Sequence, residues 1–284
     1  MLRRLISEKA DLQNVQQWVV EKDYVISYLL KAISVTDDLN ELLVMKGGTA
    51  LRKLYFKDYR FSEDLDYSTR EIGPITNLET KITSAANLAE DLLNERGPFR
   101  IEISPLELRD PHPGGQASYV IRVQFPDHRQ PLCRVKVEIT IDEPVLLQPE
   151  IRSILHDFPE PFKGSVSVYQ MTEIVAEKLR ALLQNLARMD ARGWGSGRVA
   201  RDYYDLWYLL DRIELNGEVL TNLTKRKSAH RNVQADSIDD FFSPSLIELA
   251  ERQWDKQLQI FVPSAPNVDK VIEDIKNALN TLWN

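Results

Sequence analysis

A single cysteine, Cys133, is all the thiol chemistry that this chain of 284 residues carries. It excludes an internal disulfide, and its place in an alternating apolar run reads as a buried core thiol rather than a nucleophile. Long hydrophobic runs are equally missing. No stretch of about 18 apolar residues occurs, so no transmembrane helix is expected. The opening MLRRLISEKADLQ holds an apolar stretch too short for a signal peptide, and a cytoplasmic protein is the expectation. Internal repeats and low-complexity tracts are absent too. Positive charge is outnumbered, with 36 Lys and Arg against 43 Asp and Glu and a net charge of −7. A whole-surface affinity for nucleic acid is thereby excluded, although a local basic face is not. Two segments could provide one: ARMDARGWGSGRVAR (187–201), where Arg188, Arg192, Arg198 and Arg201 surround Trp194, and KRKSAHR (225–231). Arginine beside an aromatic suits phosphate contact and base stacking, whereas a solvated charged loop is the plainer reading.

What is present reads as an α/β N-terminal half followed by a mostly helical C-terminal half. Apolar residues at helical spacing fill 16–33, and a short apolar run at 41–46 ends in Gly47-Gly48. Thr49 then precedes the helix formers ALRKLYF and can act as an N-cap. A second strand starts at Asp64, and a helix covers 75–95. Period-two segments at 99–108, 117–125 and 132–142 read as a three-strand antiparallel meander. Helices follow at 172–188, 199–213, 244–259 and 267–282, giving expected domains of 1–165 and 166–284.

The densest chemistry lies in FSEDLDY (61–67), with Glu63, Asp64 and Asp66 inside four residues. Crowded acids raise one another's pKa unless a cation sits among them, so the segment is either a solvated turn or a metal cage. An Asp-x-Asp strand presents both side chains on one face. An acid from a neighbouring strand would complete an oxygen-lined Mg²⁺ site suited to two-metal phosphoryl chemistry. Glu138 is one candidate for that third acid and an ordinary exposed acid is its alternative; Asp142 could take its place. Gly47, Gly48 and Thr49 could admit a triphosphate to backbone N–H groups at a helix start, with Arg52 and Lys53 adding charge one turn in. On the helix at 172–188, Glu177, Arg180 and Gln184 are expected in water, with Lys178 at the margin of the apolar stripe. Asp202 falls on the inner face of the next helix, where it needs a metal or a partner such as Arg201 or Arg180. Asp205 sits nearer the margin.

VMKGGTALRKLYFKDYRFSEDLDYS, together with EKDYVISYLLKAI, EIVAEKLRALL and RVARDYYDLWYLL, resembles the AbiEii/AbiGii toxin family of nucleotidyltransferases within the DNA polymerase β-like superfamily. The resemblance implies a polymerase β-like nucleotidyltransferase core with a mixed or antiparallel sheet, followed by a helical C-terminal lobe. It implies the toxin half of a toxin–antitoxin or abortive-infection pair, with a cognate antitoxin as partner. Several such proteins transfer a nucleoside monophosphate from an NTP, some of them to the 3′ end of tRNA, blocking translation. Carried over by position, Gly47, Gly48 and Thr49 match the triphosphate-binding turn, and Ser62 with Asp64 the Ser-x-Asp of the active site. Asp66 matches the second metal ligand, and Lys178 and Asp202 the later catalytic motifs. Ser62 would bond to the phosphates or serve as a regulatory site, since a phosphoserine there repels nucleotide. Nucleotide transfer onto a protein uses the same residues. A nuclease or phosphohydrolase would use the same metals. A non-catalytic antitoxin- or nucleotide-binding module would lack the carboxylates or the Gly-Gly turn, and this chain has both.

Overall fold

The structure is a computed structural model and describes residues 2–36, 38–107, 115–193 and 198–283. The chain divides into two compact units, Met1–Tyr169 and Gln170–Asn284. The first runs past the expected join because its last strand, Ser165–Val168, pairs in parallel with the strand at Leu43–Lys46.

In chain order the first unit contains α1 (Leu2–Gln13), α2 (Gln17–Val35), α3 (Leu39–Leu42), β1 (Leu43–Lys46) and α4 (Gly47–Ala50). A π-helical turn, Leu51–Tyr55, continues α4. Then come β2 (Asp64–Thr69), α5 (Leu78–Asn94), β3 (Arg100–Pro105), β4 (Gln116–Gln124), β5 (Cys133–Thr140), β6 (Glu150–Ser153) and β7 (Ser165–Val168). The strands form one mixed sheet in the order β3-β4-β5-β2-β1-β7-β6. The expected meander is there as antiparallel β3-β4-β5, and β5 lies parallel to β2. Alternation divides the faces: Leu65, Tyr67, Val135, Val137 and Ile139 are buried, while Asp64, Asp66, Lys136 and Glu138 take the other side. Helices α2 and α5 pack on each other, α2 against β5 and α5 against β3. Cys133 is buried as expected, and burial pushes its thiol up to about 12.

The second unit is helical: α6 (Met171–Arg192), α7 (Val199–Leu210), α8 (Gly217–His230), α9 (Pro244–Leu258) and α10 (Val268–Leu282). Pro244 opens α9, and Asn267 caps α10 by accepting from the Asp269 and Lys270 N–H groups. Helix α6 packs on α7 and α8, and α7 on α9 and α10. No helix among the described residues is long and apolar enough to cross a membrane.

Of the buried acids on helix α2, Asp23 lies at the centre of an ion-pair cluster in the first unit. Asp23 accepts from Lys53 Nζ at 2.6 Å and from Arg52 Nε at 3.4 Å, all three side chains being enclosed. Burial alone would raise the Asp23 carboxyl, but Lys53 and Arg52 outweigh it and hold the group below the ordinary aspartate range. Asp23→Asn should therefore cost about 3–5 kcal/mol of unfolding free energy, because two cations lose their counter-charge. A depressed folded pKa confers stability that is present above the ordinary value of 3.8 and lost as pH falls through the folded value. Urea titrations of both proteins should show a full gap at neutral pH that narrows in acid.

Candidate active site

The site begins where β1 ends. After Lys46 the chain enters Gly47 with φ of +79°, a conformation that L side chains rarely adopt. Space forbids a side chain there as well, since a Cβ on Gly47 would lie 2.6 Å from Asp66 Oδ2. At Gly48 a Cβ would lie 2.9 Å from Arg60 Nη2 and 3.1 Å from Ser62 Oγ. The glycine bend thus faces Asp66, Ser62 and Arg60 directly. Thr49 is not an N-cap, because the helix already starts at Gly47. Its buried hydroxyl donates to the Asp64 carbonyl and ties the helix start to β2.

Strand register places the acids. Asp64 pairs with Lys136 and Asp66 with Glu138, so Glu138 stands beside Asp66 on the same face, with strands about 4.8 Å apart. Asp142 lies past the end of β5. Oxygen donors in this disposition suit Mg²⁺ by type, and the missing Cβ at Gly47 leaves Asp66 room at the bend. Among the described residues no three His, Cys, Asp or Glu side chains are already gathered into a metal cluster.

The cations are not arranged as the sequence suggests. Arg52 and Lys53 are buried against Asp23 rather than presented at the glycine bend. The π turn carries both toward α2, where a lysine and an arginine meet a buried acid. Arg52 still serves the site at one remove. It donates to the Tyr59 carbonyl and lies 4.1 Å from the centre of the Phe61 ring, which fixes the loop leading into Ser62 and Asp64. The positive groups at the bend are Arg60 and Lys46, and sequence reasoning passed over both. Lys46 pairs with Asp66 across β1–β2 and its Nζ lies 2.6 Å from Glu143 Oε2. Being next to the glycines was the available signal for Lys46. Nothing in the local pattern marks Glu143.

In the helical unit, Lys178 Nζ is held between Asp202 Oδ1 at 2.7 Å and Asp205 Oδ2 at 2.8 Å. The partner of Asp202 is therefore Lys178, rather than the alternatives Arg201 or Arg180. Arg201 lies 4.7 Å from the centre of the Phe261 ring, and Arg180 bonds Glu177 and Gln184. Asp205 is fully buried and belongs to the cluster. Its position one turn after Asp202 was the readable signal. Glu177 and Arg180 are not in water as expected, because α8 covers that side of α6. Its Lys227 reaches Glu173 at 2.9 Å and Glu177 at 2.7 Å. Burying Lys227 and Arg231 removes half of the cations of 225–231 from any basic face. Arg192 and Arg198 are exposed, whereas Trp194 lies outside the described residues.

Residues 28–281 match the family model described as nucleotidyl transferase AbiEii toxin, Type IV TA system. The fold is similar to that of MenT4, a nucleotidyltransferase toxin from Mycobacterium tuberculosis, with a TM-score of 0.60, 20% identity and 99% of each chain covered. At that identity the likeness concerns the fold. No curated protein sequence matches the chain.

The bend makes its own prediction. Gly47→Ala should lower the unfolding free energy by about 1–2 kcal/mol from the left-handed backbone alone. Displacement of Asp66 should add to that. Gly48→Ala meets only the far ends of Arg60 and Ser62 and should cost less in the same denaturation measurement.

Proposed function

Because the chain belongs to the AbiEii family of nucleotidyl transferase toxins of Type IV toxin–antitoxin systems, we propose that it transfers a nucleoside monophosphate from an NTP to RNA, at the 3′ end of tRNA, and so blocks translation. The observation that carries this reading is the glycine bend built against Asp66, with Asp64, Asp66 and Glu138 on one face of the sheet. Helical N–H groups following Gly47 would receive the triphosphate. Asp64 and Asp66 would hold Mg²⁺, with Glu138 as the third carboxylate. Bound there, the ion would neutralise phosphate charge and favour the attacking hydroxyl in its ionised form. Ser62 and Arg60 line the bend and would orient the phosphates.

Lys178 would offset charge on the departing pyrophosphate, a role that comes from the family likeness. Asp202 and Asp205 hold its ammonium, and Asp202 would act by orienting it. For the acceptor, the exposed Arg192 and Arg198 favour RNA, since guanidinium groups bond phosphate in fixed geometry. A cognate antitoxin is the expected protein partner.

Purified protein incubated with Mg²⁺, each labelled NTP in turn and total bacterial RNA or protein should label RNA, lengthen it and release pyrophosphate. Asp64→Ala should reduce labelling at least about a hundredfold, and RNA binding should weaken as salt rises. Label in the protein fraction would move the acceptor to protein. Shortened RNA would indicate a nuclease. Equal labelling by Asp64→Ala would overturn the site.

A further inference from the structure

Lys46 and Glu143 form an ion pair at the bend for which the proposed chemistry has no use so far. Lys46 is the last residue of β1, immediately before Gly47, and its register partner is Asp66. Directly paired residues share a sheet face, so the lysine side chain leaves the strand beside the carboxylate that packs on Gly47. Its Nζ lies 2.6 Å from Glu143 Oε2, and the glutamate side chain is 1% exposed against 12% for the lysine. The same ammonium lies 5.9 Å from the centre of the Tyr169 ring, whose hydroxyl donates to Ser68 Oγ at 2.8 Å. Ser68 is on β2, two residues beyond Asp66 and on the same face. The lysine is therefore held by Glu143 and the Tyr169 ring on the same sheet face as Asp66.

A lone ammonium beside carboxylates stabilises their charge, but it also competes with any divalent cation that needs them. A buried glutamate against the ammonium makes the pair neutral as seen from Asp66. We propose that Glu143 is a positioning residue: it fixes Lys46 behind the glycine bend and balances its charge, so that Asp64 and Asp66 retain their affinity for a divalent metal ion. The inference rests on the reading of those aspartates as metal ligands. A purely structural pair, tying the end of β1 to the segment after β5, would change stability without changing ion affinity.

Mn²⁺ is the probe, with free ion counted by electron paramagnetic resonance on the full chain without nucleotide, and folding followed by circular dichroism. Glu143→Gln should weaken Mn²⁺ binding about tenfold, the loss expected when a neighbouring charge is unbalanced by one unit of interaction. Removing the lysine charge as well, in Glu143→Gln with Lys46→Gln, should restore affinity to within about threefold of wild type. Lys46→Gln alone should bind the ion at least as tightly as wild type, and it keeps the inference testable if Glu143→Gln does not fold. Unchanged binding in Glu143→Gln, a double variant as weak as the single one, or weaker binding in Lys46→Gln would each overturn the role of Glu143. Asp64→Ala separates the two readings. If Mn²⁺ binding survives that change, the assignment of the aspartates fails, and the inference with it. If Asp64→Ala abolishes binding while Glu143→Gln leaves it intact, only the inference fails.

Discussion

Asp66 and a side chain at position 47 would occupy the same space, and the layout of the bend and the acid strand follows from that exclusion. The antiparallel pairing of β1 with β2 brings Lys46 opposite Asp66. The next residue must turn sharply into a helix without a Cβ, at positive φ, for the carboxylate to lie where it does. Thr49 then fastens the helix to the Asp64 carbonyl. Arg52 fastens the connecting loop through Tyr59 and Phe61. Bend, loop and acid strand therefore hold one another, and preorganisation of this kind is what a group-transfer site needs from its scaffold.

Each unit also carries ion pairs in its interior. Asp23 meets Arg52 and Lys53 in the first unit. In the second, Lys227 bridges Glu173 and Glu177 while Arg180 binds Glu177. Desolvating such ions costs several kcal/mol each, so these networks add little net stability compared with apolar packing. They act through direction instead: a hydrophobic contact tolerates a shifted helix, whereas a lysine between two carboxylates does not.

The sequence made the acids, the glycine bend and the main elements legible because each is a local pattern. Period two marked β3, β4 and β5, helical spacing marked α2, α6, α7, α9 and α10, and Asp-x-Asp marked one face of β2. Charge partners were not legible. Arg52 and Lys53 look like phosphate ligands from their distance to Gly48, yet Asp23, far away on α2, claims both. Glu177 and Arg180 look solvated on a helical wheel until α8 brings Lys227 against them. Lys178 could be paired with Asp202 only through the family resemblance, and Asp205, expected nearer the margin of the helix, is fully buried and shares the same lysine. Strands β6 and β7 are too short for periodicity to register.

Exposure separates lysines that a charge count treats alike. Lys53 and Lys227 have side chains 2% and 0% exposed, enclosed with their acids. Lys46 and Lys178 are also held by carboxylates within 2.8 Å, yet their side chains are 12% and 13% exposed. An enclosed ammonium cannot meet a ligand without breaking the pair that offsets its own desolvation. For Lys46 and Lys178 the carboxylates fix the ammonium while part of the side chain stays open to solvent.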